Sequence, residues 1–127
     1  MSDGYLAGSF DLLNVRDLDL IAQARLYCSR LVVGVFSDDV VKSRSGRSPV
    51  VPLVERLTLV SHVRGVDEAV VHDDDAAPLG SDVIRFRVAG EPPPSAGDDF
   101  WLLHPRRVTT STALREALQA ARREEVA

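Results

Sequence analysis

The sequence predicts an α/β protein, a three-layer sandwich around a mostly parallel five-stranded sheet, and three observations carry that expectation. Short apolar runs alternate with segments whose apolar residues recur every three or four positions. The run Leu31-Val32-Val33-Gly34-Val35-Phe36 is continuously apolar, as a central strand covered on both faces should be. No internal repeat or linker interrupts the 127 residues, so one domain spanning 1–127 is expected.

Tyr5-Leu6-Ala7, closed by Gly8-Ser9, reads as the first strand, and Leu18, Ile21, Ala22 and Leu26 mark the apolar face of the helix that follows. After the central strand, 37–52 holds serines, glycine, prolines and the cations Lys42, Arg44 and Arg47, and reads as a long loop with a helical turn near Val40-Val41. Pro52 opens the next helix, with Leu53, Val54, Leu57, Val60 and Val63 on its apolar face and Glu55, Arg56, Thr58, Ser61 and Arg64 in water. Glu68 to His72, Val83 to Val88 and Phe100 to Leu103 read as the remaining strands. Asp73-Asp74-Asp75 is an acidic turn, and 92–97 reads as an irregular, mobile segment. A terminal helix follows, with Ser111 or Thr112 as N-cap and Leu114, Ala117, Leu118 and Ala121 as its apolar face. In such a sheet ligands bind at the carboxyl ends of the strands, where the loops after Ala7, Phe36 and Val88 and the turn before Ser111 converge.

Composition narrows the function. Hydrophobic residues are 45% and charged residues 27% of the chain, which suits a globular fold, and a net charge of −4 argues against a protein held by nucleic-acid phosphates or anionic lipid. Fourteen of the fifteen cations are arginines, the residue suited to bidentate phosphate or carboxylate contacts. The single cysteine, Cys28, excludes an internal disulfide or a cysteine-based metal cage and reads as packing in a reducing cytoplasm. No stretch of eighteen apolar residues is present and Met1-Ser2-Asp3-Gly4 is not the start of a signal peptide, so neither secretion nor membrane spanning is expected.

The candidate site residues each admit two readings. Gly8 and Ser9 would cradle phosphate with backbone N–H groups or simply make a tight turn; Asp11 would orient an acceptor or cap a turn. The loop cations Lys42, Arg44 and Arg47, with no acid among them, favour an anion over a merely solvated loop. Arg106 and Arg107 ahead of Thr110, Ser111 and Thr112 offer either a phosphate site at a helix start or an ordinary cap beside surface arginines. His104 reads as solvent-facing, and Trp101 as core or interface rather than a base-stacking platform.

Gly8-Ser9-Phe10-Asp11-Leu12-Leu13-Asn14-Val15-Arg16-Asp17 resembles the opening of the small cytidylyltransferases, where Gly-Thr-Phe-Asp-Leu-Leu leads into His-x-Gly-His. Ser37-Asp38-Asp39, Glu55-Arg56, Val63 to Val70, Val88-Ala89-Gly90-Glu91 and Thr109 to Thr112 resemble later stretches of the same family in the same order. The resemblance implies a Rossmann-like nucleotidyltransferase fold that binds CTP or CMP and a small phosphorylated or phosphonate molecule, with Mg²⁺ if active and no other cofactor. It also implies a homodimer with the first loop and helix near the interface. Asn14, Arg16 and Asp17 stand at the three signature positions, and they and Lys42 take the catalytic places. Gly8, Ser9, Phe10 and Gly90, with Arg106, Thr110, Ser111 and Thr112, take the nucleotide; Asp11, Arg44 and Arg56 take the acceptor. In the family the histidines contact the triphosphate and stabilise charge as CMP is transferred. Asparagine cannot carry a proton as imidazole does, and an ionised Asp17 repels phosphate unless a cation offsets it. A nucleotide-binding protein impaired in catalysis is therefore expected, with an active enzyme that uses Arg16 and the basic loop in place of histidine as the alternative.

Overall fold

In the computed structural model five strands, β1 (Asp3–Gly8), β2 (Arg30–Phe36), β3 (Glu68–His72), β4 (Ile84–Val88) and β5 (Trp101–Leu103), form one sheet in the order β3-β2-β1-β4-β5. All neighbouring pairs are parallel. The structure describes residues 2–73, 80, 82–94 and 99–126, with 112 and 122–126 as backbone only. Four helices accompany the strands: α1 (Val15–Leu26), α2 (Asp38–Ser45), α3 (Leu53–Ser61) and α4 (Ser111–Val126). The chain moves outward from β1 through β2 to β3 and returns to pair β4 on the other side of β1. That reversal opens a crevice at the carboxyl ends of β1, β2 and β4, the usual place for a ligand in a sheet of this kind.

One face of the sheet carries the core. Leu20, Ile21 and Ala24 of α1 and Val60 of α3 pack on Leu6, Leu31, Val33, Val35 and Phe86. Cys28 is wholly buried beside them, in keeping with a packing role. On the opposite face Tyr5 reaches across β2 to hydrogen-bond Nδ1 of His72 at 2.7 Å, and burial pushes its phenol up to about 12. Only glycine permits this crossing, because a Cβ at Gly34 would lie 1.9 Å from the Tyr5 oxygen.

The helices correct four expectations. The segment read as a long loop contains α2, made helical by its ends: Ser37 Oγ accepts the Val40 N–H, Asp38 and Asp39 occupy the first turn, and Gly46 closes the helix at φ 78°. In α1 Ile21 is buried as expected, but Leu18, Ala22 and Leu26 face outward and Leu20, Gln23 and Ala24 are buried instead. In α4 Leu114, Ala117, Leu118 and Ala121 are exposed, and the helix turns Arg115 and Gln119 inward. In α3 Val54 is 76% exposed, and Arg56, expected in water, is 0% exposed. For α3 and α4 the reason is shared: they meet backbone carbonyls at the carboxyl end of the sheet, and polar side chains turn inward to satisfy them.

Arg56 is the clearest case. Nε donates to the Val51 carbonyl at 2.8 Å, Nη1 to the carbonyls of Ser9 (2.8 Å) and Phe36 (2.7 Å), and Nη2 to Asp38 at 2.5 Å. One guanidinium thus ties the β1–α1 loop, the end of β2, the start of α2 and the entry to α3. Arg56→Leu removes all four bonds and leaves carbonyls buried without donors, so it should lower the unfolding free energy by about 3 kcal/mol or more in urea titrations. Glu55→Ala, one position away on the exposed side, should change it by about 0.5 kcal/mol or less.

Candidate nucleotide site

Two adjoining cavities of about 500 and 410 Å³ occupy the crevice. Ala7, Ser9, Asp11, Val88, Glu91 and Arg115 line both, so they are two arms of one depression. Gly8, Phe10, Asn14, Arg16, Asp17 and Thr109 line the smaller arm; Phe36, Val41, Arg44 and Arg47 line the larger.

The loop from β1 to α1 forms the floor. Phe10 and Leu12 have φ of 50° and 59°, a left-handed conformation that costs a non-glycine residue about 1 kcal/mol or more. The surroundings hold it in place. Asp11 is buried, and its two oxygens accept the N–H groups of Val50 and Val51, each at 2.9 Å. Its carboxylate therefore clamps the 46–52 loop to the floor, so the expected acceptor-binding residue is tied to the backbone.

Asn14 is the N-cap of α1. Its Oδ1 accepts from the N–H groups of Arg16 (3.0 Å) and Asp17 (3.2 Å), and its Nδ2 donates to the Leu12 carbonyl at 3.0 Å. Asp17 follows in the first turn of α1, where its carboxyl lies near the Asn14 backbone N–H. Burial raises the Asp17 carboxyl to about 6, against the lowering influence of Arg16 and of that N–H. Arg16 points across the mouth, its Nη2 2.6 Å from Oε2 of Glu91 in the loop after β4.

Cations from two further elements complete the depression. Arg44 of α2 stacks on the Phe36 ring, 4.8 Å from its centroid, and donates to the carbonyls of Pro92 (3.0 Å) and Pro93 (3.2 Å). Pro92 and Pro93, read as part of a mobile segment, are thereby tethered, and 95–97 lie outside the described residues. Arg115 enters from α4 with Nη1 3.4 Å from the Asp11 carbonyl, and Gln119 one turn later donates to the Ser48 carbonyl at 2.8 Å.

Several expected residues stand elsewhere. Lys42 is exposed on α2 and lines neither arm, and Arg56 is the buried strut beneath the floor. Gly90 also lines neither arm and supplies a turn with φ 84° after β4, which brings its neighbour Glu91 to both. Arg106 anchors its loop by a backbone N–H to Asp19 at 2.9 Å, with the residue itself exposed. His104 and Thr110 are exposed, Ser111 donates its N–H to Thr109, and the Thr112 side chain lies outside the described residues, as do Asp74 and Asp75. Trp101, placed in the core or an interface, is half-exposed and packs on Tyr27 with ring centroids 4.9 Å apart.

Sequence reasoning gave no role to Glu91, Arg115 or Gln119. The signal for the last two was their spacing. Ser111, Arg115 and Gln119 repeat every four residues and make one helix face, polar where the ligand side needs polarity.

Comparison with known proteins agrees with this geometry. The cytidylyltransferase-like family model matches residues 5–123. The chain is 41% identical over 66 residues to the ethanolamine-phosphate cytidylyltransferase of Arabidopsis thaliana, a match covering 52% of this chain and 15% of that protein. It is 37% identical over 73 residues to the bifunctional protein HldE of Acidiphilium cryptum (strain JF-5), covering 57% of this chain and 15% of that protein. The chain thus spans a small fraction of the length of these curated relatives. A crystal structure of the lipopolysaccharide core biosynthesis protein from Thermoplasma volcanium GSS1 superposes with a TM-score of 0.67 at 16% identity, over 86% of this chain and 99% of that one, and shares the fold. With nearly its whole length, residues 5–123, matched by one family model, the chain belongs to the cytidylyltransferase-like family.

Proposed function

We propose that the chain binds a cytidine nucleotide in the crevice and is impaired in nucleotidyl transfer, acting as a sensor or as the partner of an active subunit. The observation behind this reading is the occupation of the signature side chains. Asn14 caps α1, Asp17 is a carboxyl raised by burial in the first turn and Arg16 is paired to Glu91. None of the three presents an imidazole, and losing one pre-organised donor to a transition state typically costs about 10²–10³ in rate. Binding draws on other groups: Gly8 and Ser9 on the floor, and the guanidinium of Arg115 beside both arms.

Arg115 also supports a second reading, in which the chain transfers CMP to a phosphorylated or phosphonate acceptor. Acceptor oxygen would attack the α-phosphorus and pyrophosphate would leave, with Arg16 and Arg115 offsetting the charge. Mg²⁺, if used, would be held mainly by triphosphate oxygens with one or two carboxylates such as Glu91 or Asp17 at the smaller arm, where it would offset phosphate charge. Calorimetric titration with CTP, ATP and CMP, followed by a pyrophosphate-release assay with glycerol phosphate, separates the readings. Saturable CTP binding without release is expected, weakened about tenfold or more in Arg115→Ala. Release in the wild type that disappears in Arg16→Ala would establish the second reading, and the absence of any nucleotide binding would defeat both.

A homodimer belongs to the same proposal. Val15, Leu18 and Leu26 of α1, the last 71% exposed, run toward the stacked Tyr27–Trp101 pair and leave an apolar strip along one side. A second copy would cover it; Leu26→Arg should then yield monomer in sedimentation equilibrium, whereas a wild type monomeric at high concentration would exclude the dimer. No helix among the described residues is long and apolar enough to cross a membrane. A buried, reduced Cys28 suits a cytoplasmic setting.

Asp17 gives the site a pH dependence. Burial pushes its carboxyl up to about 6, above the ordinary carboxylate range, so folding favours the protonated form. The stabilisation is full below the unfolded value and is lost as pH rises through the folded one. Asp17→Asn keeps the size and shape of the side chain and removes the charge. It should therefore raise the unfolding free energy by about 2 kcal/mol at pH 8 and leave it nearly unchanged at pH 4. CTP affinity should fall less with rising pH in this variant than in the wild type. Equal stability gains at both pH values would contradict the assignment.

A further inference from the structure

We propose that Glu91 is an internal occupant of the phosphate site, holding Arg16 until an anionic ligand displaces it and leaves the 91–93 segment at the mouth of the crevice tethered by Arg44 alone. This rests on the nucleotide-site reading above and concerns how the site is gated.

The contact itself has the chemistry of a phosphate contact. Glu91 Oε2 lies 2.6 Å from Arg16 Nη2, a charge-assisted hydrogen bond between a guanidinium and an anionic oxygen. Glu91 lines both arms of the depression together with Arg115, so its carboxylate stands among the cations a phosphate would seek. Arg16 stands in the first turn of α1, two residues after its N-cap Asn14, so the pairing joins that turn to the loop after β4.

The same segment is held from the opposite side. Arg44, stacked on Phe36, donates to the carbonyls of Pro92 and Pro93. Three consecutive residues are thus bridged to α1 by one arginine and to α2 by another, and they span the opening as a strap. Neither bond is deeply buried. The Glu91 side chain is 48% exposed, so it can move into water without losing solvation, and an ion pair of this exposure is weak enough to be exchanged. A phosphate chain brings more negative charge and more acceptor oxygens than one carboxylate, and a planar guanidinium can take it bidentately. Exchange on Arg16 would release Glu91, and the proline segment would then be held by Arg44 alone. Before exchange, the Glu91 charge opposes any incoming anion, so the empty site discriminates against weakly charged ligands.

The test is calorimetric titration of inorganic pyrophosphate and of CTP into the wild type, Glu91→Gln, Glu91→Ala, Arg16→Ala and the Glu91→Gln/Arg16→Ala pair, with thermal melts to confirm that each is folded. Glu91→Gln should bind pyrophosphate about three- to fivefold more tightly at low salt, with the gain shrinking at high salt. Glu91→Ala should show the same gain. In the Arg16→Ala background the gain should disappear, because the competitor then has nothing to hold. Equal or weaker binding by both Glu91 variants would overturn the proposal and make Glu91 a ligand-supporting residue; CTP binding retained in those variants would leave the nucleotide reading standing. A gain that persists undiminished without Arg16 would also overturn it, since general repulsion would suffice. Absence of binding by every protein, the Glu91 variants included, would remove both the gate and the nucleotide reading.

Discussion

The architecture of the ligand end depends on one buried guanidinium. Arg56 donates to carbonyls from three separate segments and to Asp38, and each of those carbonyls ends a strand or shapes a loop around the crevice. Parallel strands leave such groups unpaired where the chain departs from the sheet, and in a dry interior they need donors. A single arginine with a planar array of N–H groups satisfies several at once. Its placement makes the β1–α1 loop, α2 and α3 one mechanical unit. Asp11 does the complementary work from the other side, accepting two backbone N–H groups of the loop that leads into α3.

On this frame the signature positions have become structural. Asn14 and Asp17 preserve a loop and helix start in which two non-glycine residues hold left-handed conformations. The polar atoms at these positions therefore face the backbone, and the charge that faces the ligand comes from Arg16 and Arg115. Under the proposed function, this arrangement keeps cations for a phosphate with no imidazole beside them. It also adds acid, since Asp17 and Glu91 both lie within the smaller arm. The net charge of −4 consequently says little about ligand preference, because arginine and carboxylate are paired at the mouth.

The strands and the ligand end were legible in the sequence because a buried parallel strand writes an uninterrupted apolar run, as 31–36 does. Helix faces were not. Periodicity locates an apolar stripe but does not say whether it meets the sheet or faces outward: the α4 stripe is exposed, and of the α1 stripe only Ile21 is buried. Arg56 was placed in water with an acceptor role and Arg115 was given none, for a related reason: a charged residue on an amphipathic helix is ordinarily solvated, and the exceptions are set by carbonyls from distant segments that no local window contains. The short helix α2 was signalled by Ser37 and Gly46, yet eight residues with two buried valines give too little periodicity to outweigh the surrounding turn formers. Glu91 followed a recognisable strand end, but its partner lies 75 positions away in the chain.

The central claim is that a rebuilt signature still surrounds a nucleotide site, with arginines in place of histidines at the phosphates. A crystal structure of the protein grown with CTP tests this most directly. The account predicts the triphosphate between the Gly8-Ser9 turn and Arg115, with Arg16 turned from Glu91 to a phosphate oxygen. A nucleotide held elsewhere, with Arg16 still paired to Glu91 and the crevice filled only by water, would contradict it.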